Sequence, residues 1–348
     1  MLFKRNKKHF SFSKFNVPYK GRVVKIANKF QNPGLFIMKN RQMKQPVTDL
    51  IKKEYIVLDG GMGTFLQERG LSAADLPEEW NISHPDTIVY IHRAYLDAGA
   101  QIIETNSFGG TSLKLQAKGK AHLARSVNQE AARLACDALR AFMKESKNPA
   151  DTRYVGGSIG PTGKIFGMDL SAADAEKTYA EQGSFLADSG VDLFLVETML
   201  DLREAEIAVR TLKRETNLPI FATAVFNKTK KGEYRTLFGN TVEDVVVRYE
   251  DAGAQAVGVN CGLIAEYVEV IGKMRESTRL PLLLYPNAGI PVLKDGKTSF
   301  NQTPEQMIAY LDASIEAGAT IIGGCCGTTP AYIRKIAHRI KGRPLKTP

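Results

Sequence analysis

The sequence predicts an α/β protein that folds as a (β/α)8 TIM barrel. Eight short apolar runs alternate with longer amphipathic stretches from residue 54 onward. Strands that alternate with helical patterns are typical of a parallel sheet whose crossovers are helices. Eight such repeats spread over about 290 residues match the usual size of this barrel better than they match two separate domains.

The predicted strands can be placed in order along the chain. They cover residues 55–59, 101–105, 154–158, 192–197, 220–225, 256–260, 282–285 and 320–324. Four of the helices that precede them end in a short motif with a glycine, at Gly99, Gly190, Gly253 and Gly318. Each glycine predicts a helix C-cap in the left-handed conformation, which turns the chain into the next strand.

The formal charge of +10 is concentrated at the N-terminus. Residues 1–53 contain fourteen lysines and arginines and one acid, Asp49, a net of +13, so the remaining residues sum to −3. We therefore predict a basic, disordered extension at 1–45, the barrel at 46–342 and a tail at 343–348. Contact of the extension with nucleic acid, an anionic membrane or an acidic protein stays open, as do a targeting role and a start at Met38 or Met43.

Composition narrows the class of protein. The chain is 43% hydrophobic and 24% charged, as in a globular protein with a sizeable core. No stretch approaches the roughly 20 apolar residues of a membrane span, and no nucleic-acid partner is expected for the barrel. Four cysteines without a signal-peptide pattern predict a cytoplasmic protein with free thiols.

Three of the four cysteines predict a metal site. Cys325 and Cys326 are adjacent and flanked by glycines, and Cys261 follows the sixth predicted strand. The carboxyl ends of the barrel strands share one face, where active sites of this fold lie, so the three thiols should meet there. Three thiolates with an open fourth position suit catalytic Zn²⁺. Cys136 lies in a helical pattern and is expected in the core.

Seven ordered motifs carry a family resemblance. Asp59-Gly-Gly-Met-Gly-Thr64, Thr105-Asn-Ser-Phe-Gly109, Ser158-Ile-Gly-Pro-Thr-Gly163, Val196-Glu-Thr198, Gly258-Val-Asn-Cys261, Pro286-Asn-Ala-Gly289 and Gly323-Gly-Cys-Cys-Gly-Thr-Thr-Pro330 follow one another along the chain. Together they resemble the homocysteine S-methyltransferase family over residues of about 50 to 340. Within that family the chain is most similar to the N-terminal homocysteine module of cobalamin-dependent methionine synthase.

The resemblance implies a function. Cys261, Cys325 and Cys326 would hold Zn²⁺ and activate the homocysteine thiol as a zinc thiolate, which accepts a methyl group to give methionine. The methyl group would come from methylcobalamin or a corrinoid protein, with corrinoid or folate domains supplied by separate partner chains. Betaine and S-methylmethionine are alternative donors. A non-catalytic, zinc-stabilised partner subunit of a corrinoid methyltransferase is the alternative of another class.

The remaining candidates would bind the amino acid part of homocysteine. Asp59 and Glu197 are predicted to receive its ammonium group through charge-assisted hydrogen bonds. The loop from Gly60 to Thr64 could present backbone N–H groups to its carboxylate. Thr105, Asn106 and Ser107 are weaker candidates for binding the carboxylate. Asn260 is predicted to orient the metal ligands or the substrate.

Overall fold

The computed structural model describes residues 18–19, 22–23, 44–72, 74–146, 148, 151–294 and 297–345. Contacts divide the chain into two units, Met1–Lys44 and Gln45–Pro348. In the first unit, Pro18–Tyr19 pairs with Arg22–Val23 in antiparallel fashion. Apart from these residues and the segment 44–45, the predicted disordered extension lies outside the described residues, and so do residues 346–348 of the predicted tail.

The second unit contains the predicted eight-stranded parallel barrel. Each of the eight predicted strands overlaps an observed one: β1 Ile56–Val57, β2 Ile102–Glu104, β3 Tyr154–Ile159, β4 Leu193–Met199, β5 Ile220–Ala224, β6 Ala256–Asn260, β7 Leu282–Tyr285 and β8 Ala319–Ile322. The sheet runs from β1 through β8, β7, β6, β5, β4 and β3 to β2. A parallel bridge between Leu58 and Ile102 joins its two edges, so the barrel closes.

Helices surround this sheet. They are α1 Val47–Leu50, α2 Met62–Glu68, α3 Trp80–Ser83, α4 Pro85–Ala98, α5 Ser112–Gln116, α6 Ala124–Glu145, α7 Ala172–Asp188, α8 Leu202–Glu215, α9 Val242–Ala252, α10 Ile264–Ser277, α11 Pro304–Ile308, α12 Leu311–Glu316 and α13 Pro330–Ile340. None of the helices in the described ranges is long and apolar enough to cross a membrane.

The predicted glycine caps are present. Gly99 ends α4 with φ of 111°, and Gly253 ends α9 with φ of 103°. Gly190 and Gly318 also have positive φ. Glycine reaches this left-handed region without the steric cost of a Cβ atom, so the chain can turn at once into the following strand.

Two apolar layers stabilise the barrel and leave its carboxyl end free for polar residues. The larger layer packs the helices on the outside of the strands. The smaller layer fills the interior with side chains such as Leu58, Leu195 and Phe221, and it includes Val47 and Ile51 from the segment at α1. Because α1 packs on this interior layer, it covers the amino-terminal end of the barrel.

Candidate metal and substrate site

The three predicted metal ligands lie together at the carboxyl end of the barrel. The Sγ atoms of Cys261 and Cys325 are 2.8 Å apart, and those of Cys325 and Cys326 are 3.9 Å apart. All three sulfur atoms lie within 4.8 Å of one another. Cys136 is not part of this set; its thiol faces the main-chain oxygen of Gly190 at 3.4 Å.

Local backbone geometry positions these thiols. Cys261 follows β6 with φ of 59°, a left-handed conformation that is uncommon for a residue with a side chain and is typical of functional sites. The cysteine loop, Gly323–Thr329, is fixed by the turn after β7. Cys325 N–H donates to the oxygen of Pro286 at 2.7 Å, and Cys326 N–H donates to Oδ1 of Asn287 at 3.1 Å.

The sulfur set fits a tetrahedral metal with one open position. At a Zn–S distance of about 2.3 Å, tetrahedral geometry places two sulfurs about 3.8 Å apart. The pair Cys325 and Cys326 has this spacing, whereas Cys261 and Cys325 would separate by about 1 Å around an ion. Among the described residues, no histidine, aspartate or glutamate joins the three cysteines within 4.8 Å. A fourth position is therefore left for an exogenous ligand.

The pKa values of the thiols are shifted in opposite directions. Hydrogen bonds from Cys261 and Cys325 lower the pKa of Cys326 to about 3. The pKa of Cys325 is raised well above its ordinary value, first by its hydrogen bond with Cys261, then by that with Cys326 and by burial. The opposite directions of these shifts place negative charge preferentially on Cys326. A metal ion bound by all three thiolates would displace the protons that the thiols still carry.

Three buried carboxyl groups form a second cluster beside the thiols. This acid cluster consists of Asp59 after β1, Glu104 at the end of β2 and Glu197 in β4. Burial raises the pKa of Glu197 to about 7. Burial also raises the pKa values of Asp59 and Glu104 well above their ordinary range, and the charge of Glu197 adds to both shifts.

Asn260 connects the two clusters. Its Nδ2 donates to Oε2 of Glu197 at 3.2 Å and lies 3.7 Å from Sγ of Cys261. Its Oδ1 accepts from the backbone N–H of Thr198 and the hydroxyl of Thr223, both at 3.0 Å. The amide is fully buried. It therefore holds the acid cluster and the thiols at a fixed spacing.

The glycine loop after β1 packs directly against the cysteine loop. Gly61 N–H donates to the oxygen of Thr328 at 3.1 Å, and a Cβ on Gly60 would lie 2.7 Å from the same oxygen. Thr64 Oγ1 donates to Gly61 O and accepts from Gly327 N–H, each at 3.1 Å. The N–H of Gly61 is thus used by the fold, and the role of this loop in carboxylate binding stays a prediction.

The polar side chains that follow β2 form hydrogen bonds within the fold. Thr105 Oγ1 pairs with Ser107 Oγ at 2.6 Å and accepts from Ser158 N–H at 3.0 Å. Asn106 Nδ2 donates to Pro77 O and to Asn81 Oδ1. All of these bonds tie the β2 turn to its neighbours. Substrate binding by Thr105, Asn106 or Ser107 stays a prediction.

Two residues of the site were not among the predicted site residues, although one of them, Asn287, lies in the Pro286–Gly289 motif. Glu104 contributes a third carboxyl group to the acid cluster, and Asn287 holds the backbone of Cys326. A signal for Glu104 existed, because β2 and β4 both reach a Glu-Thr pair near their carboxyl ends, at residues 104–105 and 197–198. Alternate strands of this barrel contribute side chains to the same layer, which would have placed both glutamates together.

Exposed apolar side chains concentrate on the loops that follow the strands. We call the following eight residues the apolar rim: Phe108, Ile165, Met168, Leu200, Leu237, Phe238, Ile290 and Val292. Met168 is 82% exposed and Leu237 is 65% exposed. Apolar groups gathered at one end of a protein often mark an interaction surface. Here they lie on the face that carries the cysteines.

Comparison with known proteins gives the family. The homocysteine S-methyltransferase family model matches residues 56–340. The chain belongs to this family. The resemblance found in the sequence motifs is thereby confirmed, and family membership places the chain among methyltransferases.

Individual relatives agree with this assignment. Methionine synthase of Mycobacterium tuberculosis is 32% identical over 306 residues, which are 84% of this chain and 25% of that protein. The chain thus spans about a quarter of the length of this relative. The crystal structure of the homocysteine methyltransferase MmuM from Escherichia coli in its metallated form superimposes with a TM-score of 0.71 at 28% identity, covering 83% of this chain and 98% of that one. The oxidised form of MmuM gives the same TM-score.

Proposed function

We propose that the barrel is a zinc-dependent homocysteine S-methyltransferase that produces methionine. One observation carries the proposal: Asn260 touches both Glu197 of the acid cluster and Cys261 of the thiol cluster. An ammonium group and a sulfur atom four bonds apart in one small molecule can reach these two clusters together. Homocysteine has this arrangement, and the family of the chain supports it.

Cys261, Cys325 and Cys326 would hold the zinc ion. When bound, the ion supplies Lewis-acid activation, which keeps the substrate sulfur deprotonated and nucleophilic at neutral pH. Asp59 and Glu197 bind the substrate ammonium group, and Asn260 fixes the spacing between ammonium and sulfur. Free thiols are needed for this site, so we place the protein in the reducing cytoplasm.

The transfer step is a displacement at the methyl carbon. The sulfur of homocysteine supplies the electron pair of the new S–CH3 bond, and the electron pair of the broken bond stays with the donor. Orientation by the acid cluster lets the sulfur face the open mouth of the barrel, where the donor enters. Holding a nucleophile in a fixed direction lowers the entropic part of the barrier.

We propose methylcobalamin, carried by a separate corrinoid protein, as the methyl donor. The likeness to a methionine synthase four times longer than the aligned region supports this choice. The apolar rim supports it as well. Exposed apolar side chains such as Met168 and Leu237 suit contact with a partner protein better than contact with a small donor. Corrinoid or folate domains would then supply the methyl group.

A small methylated compound such as betaine or S-methylmethionine is the second candidate donor. Phe108 favours it, because this exposed aromatic ring lies close to Gly160, and aromatic rings attract cationic methyl groups. A non-catalytic, zinc-stabilised subunit is the candidate of another class.

Methionine formation with separate donors tests the proposal. Zinc-replete protein is incubated with homocysteine and with methylcobalamin, betaine or S-methylmethionine, and methionine and bound zinc are measured. We expect about one zinc per chain and turnover with methylcobalamin. Cys326→Ala should lose both, whereas the matched variant Cys136→Ala should keep both. Reduced protein that binds no metal after incubation with zinc would refute the zinc site. Protein that binds zinc but forms no methionine with any donor would favour the non-catalytic subunit.

A further inference from the structure

Thr198 and Cys261 share an unusual backbone conformation and touch each other. Among the described residues other than glycine, only these two have a positive φ, 57° at Thr198 and 59° at Cys261. Oγ1 of Thr198 lies 3.6 Å from Sγ of Cys261. A positive φ is especially unfavourable for a β-branched residue such as threonine, and strain of this kind is concentrated at functional sites. Thr198 is therefore a candidate functional residue.

A β-bulge in β4 explains how the Thr198 side chain reaches the thiols. The register between β4 and β5 shifts here, so that Glu197 and Thr198 lie opposite the single residue Thr223. In a regular strand, consecutive side chains point to opposite faces, and a bulge often re-aims one of them beside an active site. Glu197 reaches the acid cluster, and the next residue, Thr198, reaches Cys261. Consecutive residues of one strand thus serve both halves of the site.

The surrounding hydrogen bonds assign the direction of the contact between Thr198 and Cys261. The orientation of the Asn260 amide is fixed, because its Oδ1 accepts from the backbone N–H of Thr198 at 3.0 Å. Nδ2 of Asn260 then donates its two hydrogens to Oε2 of Glu197 at 3.2 Å and to Oγ1 of Thr198 at 2.7 Å. Sγ of Cys261 is farther from this nitrogen, at 3.7 Å. A metal-bound thiolate carries no proton, so the hydroxyl of Thr198 donates the hydrogen to the sulfur.

We infer that Thr198 is a positioning residue of the zinc site, whose hydroxyl donates a hydrogen bond to the thiolate of Cys261. The inference rests on the proposed function. The other two cysteines are held through their backbone N–H groups, which donate to Pro286 and Asn287 in the turn after β7. Cys261 lies outside that loop, and Thr198 supplies the corresponding restraint on its sulfur. Hydrogen bonds to metal ligands fix the orientation of the ligand and tune the metal.

Zinc affinity and a cobalt spectrum separate this role from a structural one. Thr198→Val keeps the shape and the β-branching but removes the hydroxyl, whereas Thr198→Ser keeps the hydroxyl. In a chelator competition, we expect Thr198→Val to bind zinc about 10- to 100-fold more weakly and Thr198→Ser to stay within about threefold of wild type. In the Co²⁺-substituted proteins, the sulfur-to-cobalt charge-transfer band of Thr198→Val should move to longer wavelength, because the lost hydrogen bond stabilised the sulfur electrons. Thr198→Ser should keep the wild-type band.

Thr223→Val is the matched control. The hydroxyl of Thr223 also contacts Asn260, at 3.0 Å, but its other hydrogen-bond partner is Tyr285 and not a cysteine. This variant should keep the wild-type cobalt band. A wild-type band in Thr198→Val, or an equal shift in both valine variants, would overturn the role of Thr198 while leaving the proposed function intact. Wild-type protein that binds neither zinc nor cobalt would overturn the proposed zinc site together with this inference.

Discussion

The raised pKa of Glu197 predicts that the metal-free protein loses stability as pH rises through neutrality. Burial raises this pKa from 4.5 to about 7, so the folded chain binds the proton more tightly than the unfolded chain. The stabilising contribution of the protonated group is fully present below the unfolded pKa and is lost as pH rises through the folded pKa. Glu197→Gln removes the titrating group and should flatten this dependence.

The size of the effect follows from the two pKa values. A difference of about 2.5 pKa units corresponds to roughly 3 kcal/mol between the acidic and alkaline limits. Most of the titration of the unfolded state lies below pH 6, and the folded state titrates around pH 7. Between pH 6 and pH 8 the free energy of unfolding should therefore fall by roughly 1 kcal/mol on account of this residue.

Urea unfolding of the metal-free wild type and Glu197→Gln at pH 6, 7 and 8 provides the test. The quantity to compare is the difference in free energy of unfolding between wild type and variant at each pH, because other groups titrate in the same range. His92, for example, is buried with both ring nitrogens unpartnered, and burial lowers its pKa to about 3. The contribution of His92 to the pH dependence of stability has the opposite sign. Because His92 is present in both proteins, this contribution cancels when their free energies of unfolding are subtracted. Parallel pH profiles for wild type and variant would refute the reasoning.

Three further predictions concern the loops around the site. Gly61→Ala places a Cβ 2.7 Å from a main-chain oxygen of the cysteine loop and should lower the free energy of unfolding by about 1–3 kcal/mol. Gly63→Ala should not lower it, because the space around Gly63 is open. Urea unfolding of both variants tests this difference. Asn287→Ala should weaken zinc binding about 10- to 100-fold in a chelator competition, and unchanged affinity would contradict its positioning role. Leu237→Ser with Phe238→Ser should lower kcat/KM for a protein-bound methylcorrinoid and leave free methylcobalamin turnover unchanged; equal losses would argue against a docking role.

The fold and the meeting of the three cysteines could be predicted because both follow from the spacing of the strands along the chain. Apolar runs alternating with amphipathic stretches place all eight strands, and the glycine motifs place the turns at Gly99 and Gly253. Cys261, Cys325 and Cys326 meet because strand ends of a closed barrel share one face. These inferences need topology only, and no knowledge of side-chain packing.

The substrate contacts were harder to predict because several polar residues follow one another at a strand end. In the run from Glu104 to Ser107, the sequence singled out the last three residues, yet their side chains form hydrogen bonds within the fold. The first residue of the run, Glu104, instead belongs to the acid cluster. Which member of such a run joins this cluster depends on where the strand ends, and composition does not contain that information.

The hydrogen bonds between the first and last strand ends have a consequence for how the site is made. Gly324 N–H donates to the oxygen of Asp59, and Gly61 N–H donates to Thr328, 267 residues later in the chain. Contacts of such separation carry a large loop-closure cost, which slows the folding of proteins that depend on them. A ribosome-bound fragment that ends before β8 contains Cys261 and the glycine loop but lacks Cys325 and Cys326. If the proposed metal site is correct, tight metal uptake would therefore require that β8 has been made and that the ring of strands has closed.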